Sequence, residues 1–359
     1  MGIFLVIALS LLGITVYTVF LFLSVFFSAD KLGQIIILAT LIVSSLGFIA
    51  TLILTRYFNN VFIHILYFVF ALAIGLFFYL TVFAIAFQFI KLTGLKLDYL
   101  LLSRVGVIAS LILFIIGLFS AAYPQVKNIS VTVNGLPKEW QGKRIVQLSD
   151  VHLGGIYGAK FLATQVERVN ALNPDLIVIT GDLFDDTEGD AMSLEPELAK
   201  LKAREGVVFV PGNHDVGLGL NKVEPVLNAA HISILKDQAI NIKGLEIIGL
   251  DIHQLVKDDN LPTINNLEPY TGQARLLLKH VPLDIAWAKN LNVGLQLSGH
   301  SHNGQMFPLS FITHFFYGKY QYGLYTEGAY NIYTSSGLGS WGPPVRTFNP
   351  AEIVVITIN

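Results

Sequence analysis

Hydrophobic positions are not spread evenly along the chain. Up to residue 124 they gather in four long runs, roughly 2–27, 35–55, 61–90 and 105–123, with no Asp, Glu, Lys or Arg inside any of them. Each run is long enough for a helix to cross about 30 Å of hydrocarbon, which takes about 20 residues. The breaks carry the charges: Asp30 and Lys31, then Arg56, then Lys91 through Arg104. The third run exceeds one span and calls for tilt or extension into the interface. The first is too long, and lacks the basic leader, for a cleaved signal peptide. The pattern predicts an all-α transmembrane segment of four helices over residues 1–124.

Beyond Tyr123-Pro124 the period shortens. Runs rich in β-branched residues occur at 129–133, 144–148, 176–180, 207–210, 239–242, 246–250, 274–278, 293–297, 331–334 and 353–358. They alternate with helical patterns at 159–172, 194–203, 222–230 and 282–289. Leu162, Val166, Val169 and Leu172 recur at the spacing of one helix face. Pro282 suits a first helical position, where its missing N–H is not needed. Continuous apolar strands such as Leu176–Ile179 read as buried on both faces. Residues 125–359 are therefore expected to form an α/β domain of stacked β-sheets flanked by helices.

Composition sharpens this division. The chain is 53% hydrophobic and 13% charged, with a mean hydropathy of +0.61, well away from a typical soluble protein with about 25% charged residues. The shortage lies in the first third, which holds five of the 23 basic and two of the 25 acidic residues. The remainder holds 18 basic and 23 acidic side chains, a formal charge of −5. That sign argues against nucleic acid, whose backbone is bound through basic patches. The chain has no cysteine, so disulfides and thiolate chemistry are excluded. Lys31, Lys91, Lys96 and Arg104 fall in the first and third loops and Arg56 in the second. By the positive-inside rule, the C-terminal domain is then expected on the extracytoplasmic side.

Polarity in the second unit concentrates where strands end. Five segments stand out: Ser149-Asp150-Val151-His152, Gly181-Asp182, Gly212-Asn213-His214-Asp215, Lys279-His280 and Gly299-His300-Ser301-His302. Sheets of this class place ligands at the carboxyl ends of their strands. Residues two apart on a strand point the same way, which pairs Asp150 with His152 and His300 with His302. Asp, Asn and His supply oxygen and nitrogen donors suited to Mn, Fe or Zn. There are enough for two divalent metal ions, and a bridged pair can clamp a phosphoryl group. Glycines before Asp182, Asn213 and His300 are expected to let the chain turn sharply. A single Asp-x-His is more often a surface pair, and a lone His280 a core histidine. Five of nine histidines in such segments is a much rarer arrangement.

In order and spacing these segments resemble the calcineurin-like metallophosphoesterases, over residues 127–359. The resemblance is nearest to their membrane-associated bacterial branch, including relatives like the UDP-2,3-diacylglucosamine pyrophosphatase. Residues 136–154, 299–305 and 335–346 add to it. It implies a four-layer sandwich fold. It implies Asp150, His152 and His302 as ligands of one metal, Asn213, His280 and His300 as ligands of another, and Asp182 as the bridge. His214 then faces the substrate phosphate as general acid, oriented by Asp215. The implied activity is a membrane-anchored hydrolysis of a phosphodiester or pyrophosphate bond by metal-activated water, in the bacterial inner membrane. The substrate stays open. A lipid-linked one such as UDP-diacylglucosamine would need a cytoplasmic site, against the expected topology. A broad cell-envelope phosphatase or phosphodiesterase is the second reading, and a non-catalytic protein stabilised by metal the third.

Weaker candidates surround this set. Asp185, Asp186 and Asp251 follow strand ends and could hydrogen-bond to ligands, although turn roles are commoner. His253 reads as a loop residue; His64, His231 and His314 read as structural. Arg346 could contact phosphate or pair with an acid. The aromatic stretch 306–330 reads as a packed hairpin or cap, or as a wall touching a bilayer interface, where such rings are enriched.

Overall fold

The computed structural model describes residues 2–58, 60–186, 189–252 and 264–359, with side chains from Ser10 onward. His253 lies outside the described residues. The chain separates into two units, Met1–Phe119 with Gly342–Thr347, and Ser120–Trp341 with Phe348–Asn359.

The first unit is built from α1 (Gly2–Phe26), α2 (Lys31–Thr55), α3 (Val61–Leu92) and α4 (Tyr99–Ala122). The polar breaks act as caps. Asp30 accepts the Gly33 N–H at 2.8 Å and Asn60 accepts the Phe62 N–H at 2.8 Å, each satisfying a donor the helix start leaves free. Helices α2, α3 and α4 are long and apolar enough to cross a membrane; the stretch Ser10–Phe26 of α1 is equally apolar but shorter. Phe22, Tyr79 and Ala84 are buried within the unit, whereas Ile35, Phe62, Phe89 and Phe119 are each more than half exposed. A helical unit apolar on its outside is at home in lipid rather than water, so the protein is membrane-associated.

Residues 342–347 return to these helices. Val345 fills the space beside Gly75 and Gly117, where an added Cβ would stand 2.9 and 2.4 Å from its methyls. The Arg346 N–H donates to the Gly117 carbonyl at 2.9 Å, and the hydroxyls of Tyr79 and Thr347 meet at 2.8 Å. Arg346, a candidate for phosphate contact from sequence, is fully buried in this segment instead.

Among the described residues, the second unit contains two six-stranded sheets. The first has the order β1 (Gln125–Val131), β12 (Glu352–Ile358), β2 (Lys143–Leu148), β3 (Leu176–Thr180), β4 (Val207–Val210) and β5 (Ser233–Ile234). The second runs β10 (Gly323–Glu327), β11 (Tyr330–Thr334), β9 (Leu295–Ser298), β8 (Arg275–Leu278), β7 (Leu245–Gly249) and β6 (Gln238–Ile242). Strands β2, β3 and β4 are mutually parallel, as are β7, β8, β9 and β11, so each set ends on one edge of its sheet.

The two-residue period of a strand sorts the core into layers. Leu176 and Val178 face a cluster with Ile247, Leu276 and Leu297 of the other sheet. Ile177 and Ile179 face outward onto Leu162, Val166 and Val169 of α5 (Ala159–Ala171), Leu198 of α6 (Glu195–Leu198), Leu218 of α7 (Asn213–Leu218) and Val226 of α8 (Leu220–Ala229). On the far side, Ile248, Leu277 and Ile332 pack with Ala288 of α9 (Ile285–Asn290). The result is helix, sheet, sheet, helix, as the resemblance implied.

Local details differ from the sequence expectations. The helix near 282 begins at Ile285 behind Asp284, whose φ of +62° ends the preceding turn, so Pro282 stands outside it. The expected helix at 194–203 shrinks to α6, preceded by a 3-10 turn. The aromatic stretch holds a helix, α10 (Ser310–Tyr317), before the β10–β11 hairpin.

One polar interaction inside this unit has a measurable consequence. The Arg275 guanidinium donates to Glu246 at 2.6 Å and to the Glu268 and Leu291 carbonyls, with both ion-pair side chains at most 3% exposed. Glu246→Ala leaves that cation buried and unpaired, and is expected to cost about 3–5 kcal/mol. Urea unfolding of the detergent-solubilised protein, followed by tryptophan fluorescence, measures this; a change below about 1 kcal/mol would count against it.

Candidate metal centre

Parallel strands deliver the polar segments to one place. Asp150 and His152 follow β2, Asp182 follows β3, and Asn213, His214 and Asp215 follow β4 at the start of α7. From the second sheet, His280 follows β8 and His300 and His302 follow β9. Three groups result whose ligand-type atoms lie within 4.8 Å of one another: Asp150, His152 and His302; His152, Asp182 and His214; and Asp182, His280 and His300. Asp182 belongs to two of them, the position a bridging carboxylate requires.

The backbone here is strained. Asp150, His152, Asp182, His300 and His302 have φ of +50°, +51°, +51°, +70° and +47°. Left-handed conformations cost a non-glycine residue of the order of 1–3 kcal/mol and cluster at functional sites. The adjoining glycines serve two different ends. Gly181 has a positive φ, +87°. Gly212 and Gly299 do not; they are there for space, and this corrects the expectation that each glycine makes a sharp turn. A Cβ on Gly212 would lie 2.2 Å from Asp182 Oδ1, and one on Gly299 1.9 Å from Ser149 Oγ and 2.2 Å from Asp150 Oδ2.

The loop Ser335–Gly339 holds the first strand end in place. Leu338 N–H donates to the Ser149 carbonyl at 2.8 Å and Gly339 N–H to the Asp150 carbonyl at 2.9 Å. Asn349 Nδ2 donates to the His302 and Asn303 carbonyls at 2.6 and 2.9 Å. Glu352, buried in β12, accepts from Tyr333 Oη, Ser335 Oγ and the Ser336 N–H at 2.9–3.0 Å. Residues 335–346 were part of the resemblance, but what Leu338 and Gly339 hold, and the roles of Asn349 and Glu352, depend on partners far away in sequence.

The electrostatics follow from burial and proximity. Burial opposes ionisation of Asp150 and Asp182, yet the facing His302 and His280 respectively hold both well below the usual carboxylate range. Burial, and then the neighbouring His302, push His152 down to about 3. Burial and His280 take His300 down to about 4. His280 is raised to about 9: burial works against its charge, but Asp182, 3.1 Å away, and Asp150 outweigh it. Its Nδ1 lies 2.8 Å from the Thr180 carbonyl, which orients the ring with Nε2 towards Asp182.

The donor set fits divalent ions. His152 Nε2 and His302 Nε2 face each other at 3.1 Å, and His280 Nε2 and His300 Nδ1 at 3.2 Å. Two lone pairs converging in this way need a shared proton or a cation. Asn213 Oδ1 is buried without a hydrogen-bond partner, and a buried acceptor of that kind calls for an explanation. Oxygen and imidazole donors without sulfur suit Mn, Fe or Zn.

The role implied for Asp215 changes. Its carboxylate accepts from the N–H groups of Gly212, Phe184 and Leu183 at 2.9, 3.0 and 3.3 Å, fixing the start of α7. Burial and the nearby Asp182 raise it to about 7. The His214 ring lies instead beside Asp186, Nδ1 to Oδ1 3.5 Å. Burial disfavours its charge, but Asp186 outweighs it and raises His214. The His214 N–H donates to Asp182 Oδ1 at 2.8 Å. Asp215 sits third in its helix, where the carboxylate turns back to the free N–H groups rather than to the ring beside it. Asp185 joins Asp186 and His214 in a fourth group, whereas Asp251, His231 and His314 fall outside all four. Trp341, to which motif reading gave no role, is 59% exposed with its ring 5.9 Å from that of His214.

Comparison with known proteins agrees with this geometry. The family model for calcineurin-like phosphoesterases matches residues 143–304. An uncharacterized metallophosphoesterase of Campylobacter jejuni is 33% identical over 240 residues, 66% of this chain and 63% of that one. The uncharacterized metallophosphoesterase YkuE of Bacillus subtilis is 34% identical over 235 residues, 62% of this chain and 81% of that one. A transmembrane protein with metallophosphoesterase domain from Danio rerio is 29% identical over 284 residues, 70% and 62% of the two chains. This chain thus spans under two thirds of the Campylobacter and Danio proteins. With strand-end donors in place and relatives of this kind on both counts, the chain belongs to the calcineurin-like metallophosphoesterases.

Proposed function

We propose that residues 125–359 form a phosphohydrolase domain carried by the helical anchor of residues 1–124. Asp150, His152 and His302 hold one divalent ion, Asn213, His280 and His300 hold a second, and Asp182 bridges them. The observation that carries this reading is that three such groups meet at strand ends of both sheets, linked through the shared His152 and Asp182. Two such ions, when bound, supply Lewis acidity to a phosphoryl group and an acidified water as nucleophile.

The chain's own residues supply the rest. His214 sits beside the shared carboxylate with its Nδ1 3.5 Å from Asp186 Oδ1, and the acids Asp186, Asp182 and Asp185 around it favour the protonated ring against burial. It is the general acid for the leaving oxygen, and Asp186 is its positioning partner. Asp215 holds the turn that aims it. Strain at the five ligands is offset by the surrounding hydrogen bonds, so the donors are fixed before substrate arrives.

The substrate proposed is a phosphodiester or pyrophosphate, lipid-linked because the chain is held at a membrane. UDP-diacylglucosamine belongs in the substrate screen as one case. The loop charges favour an extracytoplasmic domain in a bacterial inner membrane; protease access in intact spheroplasts tests it, and full protection would reverse the orientation.

Three outcomes test the site. With Mn²⁺ added, the detergent-solubilised protein is expected to hydrolyse bis-p-nitrophenyl phosphate, and His214→Gln to cut the rate by about 10²–10⁴ with bound metal retained. Wild-type rates in His214→Gln would remove the general-acid assignment. Gly299→Ala forces Asp150 and Ser149 aside and is expected to lower metal content, read by elemental analysis, with the fold preserved by circular dichroism. Chelation is expected to lower the thermal midpoint and metal to restore it, since an ion at a hundred times its Kd adds about 2.7 kcal/mol. An unchanged midpoint would argue that the fold holds no metal.

A further inference from the structure

Helix α10 is unusual for a helix of this length in a folded domain: none of its eight residues is buried. Its sequence, Ser-Phe-Ile-Thr-His-Phe-Phe-Tyr, contains no acid, lysine or arginine. Phe311 is 68% exposed and Phe315 83%, with Ile312 and Phe316 also more than half exposed. The patch extends beyond the helix. The Phe307 ring lies 5.7 Å from that of Phe311 and 5.6 Å from that of Phe348, itself 71% exposed. Contiguous aromatic surface of this kind marks an interaction site.

The occupant is identified by chemistry and by continuity with the membrane association already established. Helices such as α3 commit the chain to a bilayer. Only Tyr123 and Pro124 separate the end of α4 from the first strand of the domain, so a lipid surface is always within reach of it. A soluble protein partner is normally matched by polar and charged groups around an apolar centre; this helix offers aromatic and aliphatic side chains with three hydroxyls, a histidine and no formal charge. Phenyl and tyrosyl rings on a short amphipathic face are suited to lie in the headgroup and acyl boundary. We propose that α10, with Phe307 and Phe348, is a lipid-docking face of the second unit.

The position of the face gives it a use. The Tyr317 ring, the last of α10, stands edge-on to His300 at 5.9 Å, and the helix begins just after His302. Lipid docked on α10 lies beside the strand-end cluster. In that consequence alone the inference rests on the proposed hydrolase reading: it makes the substrate one whose phosphate reaches the metals while its acyl chains stay in the bilayer.

The absence of cysteine makes the docking face directly testable. Phe315→Cys in the full-length chain gives a single thiol for an environment-sensitive fluorophore, and Thr164→Cys, on exposed α5 surface, is the control. Both proteins are placed in nanodiscs of phosphatidylethanolamine and phosphatidylglycerol. At position 315 the expected result is blue-shifted emission, quenched several-fold more by doxyl-labelled lipid than by iodide, and the reverse at 164. Emission at 315 that iodide quenches like the control overturns the proposal. Emission that neither agent quenches also overturns it, because protein then covers the helix. The readout involves no hydrolysis, so its failure is separate from failure of the catalytic assignment. For the consequence, Phe315→Ser with Phe316→Ser is expected to retain turnover of bis-p-nitrophenyl phosphate and lose at least about tenfold on a vesicle-borne phosphodiester. Equal losses on both would remove the link between docking and substrate.

Discussion

Asp150 and Asp182 are buried carboxylates whose near neighbours are histidine rings and backbone N–H groups. A buried charge is costly unless it is paired or coordinates a metal, and the histidines that face these two carboxylates supply opposite charge against them. Two parallel strand sets end at the same place, one from each sheet. Five of the clustered residues, Asp150, His152, Asp182, His300 and His302, take left-handed backbone there. Gly212 and Gly299 give up their side chains so that the carboxylates can pass. The loop after β11 donates backbone N–H groups to the carbonyls behind Asp150. These arrangements share one physical reason in the proposed metal centre, which would place cations between the two carboxylates.

The two-sheet architecture is what makes such convergence possible. A single sheet offers a row of strand ends about 5 Å apart, which can gather Asp150, Asp182 and Asn213 but cannot enclose an ion pair. The second sheet brings His280, His300 and His302 in from the other side. Its own packing is secured by the cluster shared by Val178, Leu276 and Leu297 and by the Arg275–Glu246 pair. The apolar layers and the polar site are thus parts of one construction, since the packing between the sheets sets how far His280, His300 and His302 stand from Asp150 and Asp182.

Much of this was legible in the sequence because it depends on local pattern. Charge-free runs gave the long helices. Continuous apolar strands gave the buried sheet, and the polar residues at their ends gave every member of the cluster. What was not legible depends on contacts distant in sequence. The resemblance implies Asp215 as the residue that orients His214, yet helix geometry turns its carboxylate to three backbone N–H groups and leaves Asp186 beside the ring. Arg346 reads from sequence as a residue that pairs with an acid or contacts phosphate. Its segment instead packs with Gly75 and Gly117 of α3 and α4. Glycine's role was also only half readable: composition cannot distinguish Gly181, which needs a positive φ, from Gly212, which needs an absent Cβ.

Helix α10 exposes the limit of pattern reading from the other direction. In water, an eight-residue helix is too short to persist on propensity alone and draws its stability from packing. This one packs no residue fully into the domain. Its apolar side chains would be an aggregation liability in a free domain, and a domain released into solution would gain from losing them. The same rings cease to be a liability in a chain whose other third already requires lipid, because an apolar phase is then always at hand. The exposed aromatic surface beside the strand-end histidines and the charge-free helices of residues 1–124 share one character, apolar side chains presented outward, and the lipid docking proposed for α10 would give both the same solvent.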